Sequence, residues 1–407
     1  MKDRPIYLKK LIEFKDKEAI KVITGARRCG KSTLLSLFQG YLQKLGVSED
    51  KILYYNFESM RHQSIKNYQD LYKEISEKLS PGGKTYLFLD EIQMIDQWEK
   101  AINSFLVDYD IDIYLTGSNA HLLSSELSTL ISGRYVEIKM LPLSFKEFLD
   151  FHSFESTEST EEKFQKYLRY GGMPSLVEYD FNHQRIQEVL EGIFSTVVLK
   201  DVYDRNKVQN SGLLDRIILF LVDNIGNTVS PNRIANVLNN EGALQNQGQK
   251  TNHASSTVDA YIDMLVKAYI FYRVSRYDIK GKEILRSQEK YYVFDLGIRN
   301  LLLGYRDIDR GHILENVIYL ELLRRDYGVY IGKTGSQEVD FVAQNPNELI
   351  YFQVAETISS EETKQRELGS LMQIRDHHEK ILLTMDRPFE TTVNGIRLVN
   401  ILDFLLE

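Results

Sequence analysis

Residues 25–32 read GARRCGKS and fit G-x-x-x-x-G-K-[ST], a loop that cradles phosphates. Its neighbours restrict the fold more than the motif alone. The apolar, β-branched run AIKVIT at residues 19–24 precedes it. Leu34, Phe38, Tyr41 and Leu45 follow at helical spacing, and Gly46 supplies a stop. The loop is therefore expected between a buried strand and a helix N-terminus. Successive backbone N–H groups and the positive helix end favour a polyphosphate there. Gly25 and Gly30 let the backbone turn and approach phosphate with no Cβ in the way. Lys31 is expected to reach the β- and γ-phosphates, and the Ser32 hydroxyl to ligate Mg²⁺. Ala26, Arg27, Arg28, Cys29 and Thr33 complete the expected nucleotide-contacting set.

Such a loop works with acids at the end of another buried strand. YLFL at residues 86–89 runs directly into Asp90 and Glu91. Asp90, at the strand tip, is expected to hold the Mg²⁺ shell. Glu91 is placed to polarise the attacking water as general base. An acidic pair after a strand also serves as N-cap and first-turn acid of a helix, but its pairing with the loop favours catalysis. ILYYNF at residues 52–57 brings Asn56 and Glu58 to a strand end, facing the ligand crevice or capping a turn. IDIYLT at residues 111–116 leads into Gly117-Ser118-Asn119, where Asn119 or Ser118 is the candidate γ-phosphate sensor. A helix is expected at residues 122–131, followed by Arg134. That arginine is either a surface charge at the helix end or a finger reaching a neighbouring copy's γ-phosphate. With YVEIKM at residues 135–140, five strand candidates alternate with helices. The expected fold class is α/β, a doubly wound parallel sheet ending near residue 150.

At 407 residues the chain exceeds one ordinary core. Its 43% hydrophobic and 27% charged residues fit a soluble globular protein. A formal net charge of −8 gives no support for tight nucleic-acid binding, leaving only a local basic patch open. The N-terminus has no continuous apolar stretch of signal-peptide type, and IILFLV at residues 217–222 is far short of a membrane span. The single cysteine, Cys29, cannot form an internal disulfide. These features predict a cytoplasmic protein with no membrane partner.

VITGARRCGKSTLL, YLFLDEIQ, TGSN, SGRY and LPLSFKEFL occur in that order, followed by Tyr170-Gly171-Gly172-Met173-Pro174 and Asp201…Arg205. Together they resemble the prokaryotic AAA+-like, STAND-related ATPase family that carries a C-terminal PD-(D/E)xK-nuclease-like domain. The resemblance covers nearly the whole chain. It implies an ATPase core at residues 1–150, a helical lid or linker at 151–210, a winged helix at 211–295 and a restriction-endonuclease-like α/β end at 296–407. It also implies ATP rather than GTP, as does the absence of an N-K-x-D guanine-reading segment. Proline is usual where this chain has Ala26.

The second half supplies its own signals. Ile186, Val189, Leu190, Ile193 and Val197 recur at helical spacing. Ser256 and Asp259 have the spacing of a capping box for a helix over residues 257–269. A hairpin over residues 270–286 follows. On that helix the exposed Asp259, Asp263 and Lys267 argue against reading a DNA major groove. The hairpin holds six bases against three acids over residues 273–290 and could meet phosphates, though a solvated hairpin is the plainer reading. A role in packing or protein-partner binding is favoured for this segment.

The last third holds Glu315 on a helix, Asp340 on a strand and Gln353 on the paired strand. A PD-(D/E)xK site needs two strand carboxylates and a lysine around Mg²⁺. Gln353 replaces the second acid and Ala355 the lysine. The expectation is a degenerate nuclease fold with a vestigial site, leaving the phosphate loop as the catalytic centre. The function expected is that of an ATP- and Mg²⁺-dependent switch. The alternative is an ATP-gated DNA-binding protein or nuclease. Homo-oligomerisation is expected if Arg134 acts in trans.

Overall fold

A computed structural model describes residues 2–79, 82–118, 134–204, 208, 210–245, 253–306, 310–335 and 337–407. The chain divides into two compact units, one of residues 1–141 with 267–269, the other of residues 142–266 and 270–407.

The first unit is built on five strands: β1 Ile20–Thr24, β2 Ile52–Asn56, β3 Thr85–Asp90, β4 Ile111–Thr116 and β5 Tyr135–Lys139. They lie in the order β2-β3-β4-β1-β5, all parallel. Parallel neighbours require crossovers, and helices on both faces bury β1 and β3 along their whole length. Alternation divides the apolar side chains between two cores. Val22, Leu87, Leu89 and Leu115 meet Ile75, Ile102 and Phe105 on one face. Ile23, Phe88 and Tyr114 meet Leu11, Leu34 and Phe38 on the other. All five expected strands form, each within a residue of its expected ends. The helix expected at residues 122–131 falls outside the described residues.

The second unit contains β6 Thr228–Val229, β7 Phe271–Asp278, β8 Glu283–Val293, β9 Gly328–Thr334, β10 Gln337–Gln344, β11 Leu349–Ala355, β12 Glu379–Thr384, β13 Thr392–Val393 and β14 Ile396–Asn400. They form one mixed sheet in the order β13-β14-β12-β11-β10-β9-β7-β8-β6. The helix Glu361–Met372 covers one face through Leu368 and Leu371, against Val339, Val342, Tyr351 and Leu382. The helix Arg310–Arg324 is buried on nearly every side, from Ile313 to Leu322. The amphipathic helix expected over residues 312–325 is therefore buried well beyond one stripe.

Two expectations are altered here. The helices Ser211–Asp223, Pro231–Gln245 and Ser255–Lys267 form and the hairpin follows, but β7 also pairs in parallel with β9. The hairpin is therefore part of the large sheet rather than a separate wing, and residues 211–295 and 296–407 share one layer. Ser256 lies inside its helix, not at the cap, and Asp259 and Asp263 pair with Arg273 of β7 at 2.9 and 3.0 Å. The acids read as a free exposed face thus share one guanidinium of the adjoining strand with Glu289.

Gly171 ends the helix Thr160–Tyr170 at φ +78°. A Cβ there would lie 2.2 Å from Asp295 Oδ1. Asp295 Oδ2 accepts a hydrogen bond from Gly172 N–H at 2.7 Å while Oδ1 caps the helix Leu296–Leu303 through Ile298 N–H. The Gly-Gly turn thus exists to admit a buried carboxylate.

Candidate functional site

The phosphate loop leaves β1 with Gly25 at φ +138° and enters the helix Lys31–Lys44 through Gly30 at φ +101°. A Cβ on Gly25 would stand 2.1 Å from the Met140 carbonyl oxygen, so glycine is required by packing as well as by the turn. The Lys31 ammonium, almost fully buried, donates to the carbonyls of Gly25 and Ala26, each at 3.1 Å. It is thereby folded back over its own loop. Ser32 and Thr33 are exposed at the helix N-terminus. Arg4 braces the loop from below, donating to Cys29 O at 3.1 Å and Leu141 O at 2.8 Å. Arg27 pairs with Glu58 beyond β2 at 2.8 Å, and Arg28 is exposed in the left-handed region at φ +63°. Cys29 is buried with Sγ 3.6 Å from Met140 O, and that burial pushes its thiol above the ordinary range. It is a packed small residue.

Asp90 ends β3, fully buried. Its Oδ2 accepts from the Tyr54 hydroxyl at 2.9 Å and the Asn56 amide at 3.0 Å, and its Oδ1 from Thr116. Three of roughly four lone-pair positions are so engaged. Thr116 Oγ1 also accepts from the Glu91 backbone N–H at 2.9 Å. Because β4 lies between β1 and β3, Thr116 joins the acids to the strand that carries the loop. Glu91 adopts φ +57°, a strained conformation for a residue with a side chain. Its carboxylate accepts from Gln93 Nε2, and the other amide atom, Gln93 Oε1, is buried with no partner among the described residues.

The loop, Asp90 and Glu91 thus share the carboxyl end of one sheet, as the sequence implied. Asn119 lies outside the described residues, and its neighbour Ser118 is buried. Arg134 is elsewhere. Its carbonyl accepts from Ile20 N–H at 2.8 Å, at the start of β1, so about 16 Å of strand separates it from the loop. Arg134 thus lies away from its own chain's loop, and its two readings, a surface charge or a finger reaching a neighbouring copy, both stay open. Tyr54, Gln93 and Thr116 were missed. Tyr54 and Asn56 sit two apart on one strand face, the signal that could have paired them.

Oxygen donors suit Mg²⁺. The Ser32 hydroxyl is exposed, and Asp90 keeps a free lone-pair position, so these two residues fit a hard cation.

In the second unit Glu315, Asp340 and Gln353 do come together, lining a cavity of about 510 Å³ with His312 and Glu367. An unforeseen lysine completes the cluster. Lys290 of β8 lies 3.2 Å from Glu315, 2.8 Å from Glu338 and 3.8 Å from Asp340. Burial would lower its ammonium pKa, but those carboxylates raise it. Burial likewise opposes ionisation of Glu315, yet Lys290, His312 and the Tyr292 hydroxyl hold it down at about 2. Asp340 is pushed well above the carboxylate range by burial and by Glu315. Gln353 Oε1 accepts from Asp340 N–H at 3.3 Å, and its amide donates to Glu367 at 3.0 Å. Lys333 and Lys364 do not enter; Lys364 pairs with Glu390 at 3.2 Å.

A parallel sheet in this order, with a phosphate loop after β1 and paired acids after β3, defines a P-loop ATPase fold. The AAA domain matches residues 17–149, and a domain of unknown function matches residues 161–309. A Walker-type ATPase of Pyrococcus abyssi shares the fold at TM-score 0.52 and 18% identity, over 74% of this chain and 96% of that one. An uncharacterized protein of Haemophilus influenzae is 42% identical over all of this chain and 99% of its own length. The uncharacterized protein MJ1544 of Methanocaldococcus jannaschii is 31% identical over 91% of this chain and 83% of its own. The chain belongs to the family of these two proteins, a family with an AAA-type P-loop domain. Nothing in the comparisons supports a nuclease assignment for the C-terminal sheet.

Proposed function

We propose that the protein binds ATP with Mg²⁺ at the loop of residues 25–32 and hydrolyses it. The observation carrying this reading is Thr116, which grips the Asp90 carboxylate and the Glu91 backbone from the strand beside β1. Binding replaces the Gly25 and Ala26 carbonyls as partners of Lys31 by the β- and γ-phosphates. The loop N–H groups and the helix N-terminus take up the remaining phosphate charge. Ser32 and Asp90 would hold Mg²⁺, which would supply positive charge against the polyphosphate. Glu91 accepts a proton from water as the water oxygen bonds to the γ-phosphorus and the bond to ADP breaks. Gln93 Oε1, an acceptor beside Glu91 with no partner among the described residues, accepts a hydrogen bond from the water's other O–H and fixes its direction. The γ-phosphate sensor is Asn119, which lies outside the described residues. A finger role for Arg134 requires a second copy of the chain.

The deciding experiment is phosphate release by the purified protein with Mg²⁺-ATP, against the Glu91→Gln variant. Expected is turnover in the parent, and binding without turnover in the variant. Equal phosphate release by both would refute the role of Glu91.

The acidic cavity supports structure rather than DNA cleavage. Lys290 is surrounded by carboxylates and serves as their counter-ion, while burial and the neighbouring Glu315 push the Asp340 carboxyl well above the usual range.

A further inference from the structure

Away from both of these sites, a cleft of about 730 Å³ opens between the β7–β8 turn and the end of the helix Glu361–Met372. Lys280 and Lys282 stand on one rim and Arg375 on the other, with Ile279, Met372 and Ile374 between them. All three cations are exposed, and among the described residues none has an ion-pair or hydrogen-bond partner for its side chain.

The rims are fixed by the acids nearby, which are already engaged. Asp278 Oδ1 accepts from Lys280 and Gly281 N–H at 3.0 and 3.1 Å, and its carbonyl from Lys282 N–H at 2.7 Å. Asp376 accepts from the Tyr351 hydroxyl at 2.6 Å and lies 3.7 Å from Lys380. Glu283 is exposed at the start of β8. The turn thus holds the Lys280 and Lys282 ammoniums out of any ion pair, with the Asp278 and Glu283 carboxylates flanking them on the same turn. A chain of net charge −8 that leaves three cations unpaired around one cleft is concentrating positive potential there.

We propose that this cleft binds single-stranded nucleic acid. Sites for such ligands combine a charged groove that tracks the backbone with side chains, commonly aromatic, on which bases lie. Here the rims supply the charge, and the exposed Met372 with the half-buried Ile279 supplies an aliphatic surface in place of an aromatic one. A duplex keeps its base faces stacked inside and cannot use that floor. An acidic peptide satisfies the rims but presents no flat apolar body. Lysines, as point charges on long stems, suit phosphates without reading sequence. The proposal does not rest on ATP chemistry, and its assay contains no nucleotide.

The test is fluorescence anisotropy of a labelled oligothymidylate of about 20 nucleotides titrated with the full chain at several salt concentrations. A duplex of equal length and polyglutamate serve as competitors. Three phosphate contacts predict a slope of log affinity on log salt of about −2. The combined K280E/K282E/R375E variant should lose at least about tenfold in affinity at low salt. The same reversals at Lys44, Lys73 and Arg185, all exposed, should leave binding unchanged. Unchanged circular dichroism and melting in both variants keep the comparison valid. The proposal fails if the oligothymidylate does not bind at low salt, or if both triple variants behave alike. It fails equally if duplex or polyglutamate competes as well as the unlabelled oligothymidylate.

Discussion

Lys31 shows how one side chain links the empty loop to its ligand. It rests on two loop carbonyls that cannot neutralise it, and phosphate oxygens can. Lys31→Ala should therefore abolish detectable ATP binding, read by equilibrium dialysis with labelled nucleotide. Glu91→Gln should retain binding and lower turnover by about 10²- to 10⁴-fold, the range for a lost general base. Gln93→Leu removes the acceptor proposed to orient water without touching the phosphates. Turnover should fall by up to about a hundredfold with nucleotide affinity unchanged. If Gln93→Leu instead weakens binding and spares turnover, Gln93 is a structural partner of Glu91 and nothing more.

At the scale of elements, two buried charges tie segments together in the second unit. Lys290 joins β8 to β10 and to the helix Arg310–Arg324. Lys290→Met removes the buried ammonium that Glu315 and Glu338 share, and should cost roughly 3–5 kcal/mol. Adding Glu315→Gln should recover part of the loss, which urea melts of the single and double variants would measure. Asp295 ties the Gly171–Gly172 turn to the helix Leu296–Leu303, and burial raises its carboxyl to about 6, against the backbone N–H groups that favour the charged form. A raised carboxyl binds its proton more tightly folded than unfolded. Its contribution is complete below the unfolded value near 4 and is lost as pH rises through 6. The stability of the parent relative to Asp295→Asn should therefore fall between pH 4 and 6, by up to about 3 kcal/mol. A pH-independent difference would show that Asp295 keeps an ordinary pKa.

The whole molecule offers two independent readouts because it consists of two compact units. A ligand that binds only the native first unit stabilises it by about 2.7 kcal/mol at a hundredfold excess over Kd. A slowly hydrolysed ATP analogue should thus raise the melting transition of the first unit, seen by calorimetry, and Lys31→Ala should cancel the shift. Plasmid DNA incubated with the protein, Mg²⁺ or Mn²⁺ and ATP should remain intact. Cleavage that disappears in Asp340→Ala would overturn the structural reading of the acidic cavity.

The first unit was legible almost residue by residue. GARRCGKS, the β-branched run before it and Asp90-Glu91 after an apolar tetrad are local patterns, and a parallel sheet buried on both faces shows its strands as continuous apolar runs. Asp340, Glu315 and Gln353 are also grouped by the resemblance to a nuclease-like arrangement of elements rather than by their spacing. Lys290 was not, because it stands 25 residues from Glu315 and 50 from Asp340, on a strand assigned to another segment. Thr116 and Gln93 were invisible for a related reason: a hydroxyl at a strand end and an amide in a turn acquire meaning only when the neighbouring strand is known. The sequence by itself determined the phosphate loop, its acids and the strands that carry them, since each depends on residues close in the chain. Tertiary structure alone decided which charges face each other, merging the hairpin into the large sheet, moving Arg134 to the far end of β1 and seating Lys290 among three carboxylates. Pairing between distant strands is set by how whole sheets bury their faces, a property that no short stretch of residues encodes.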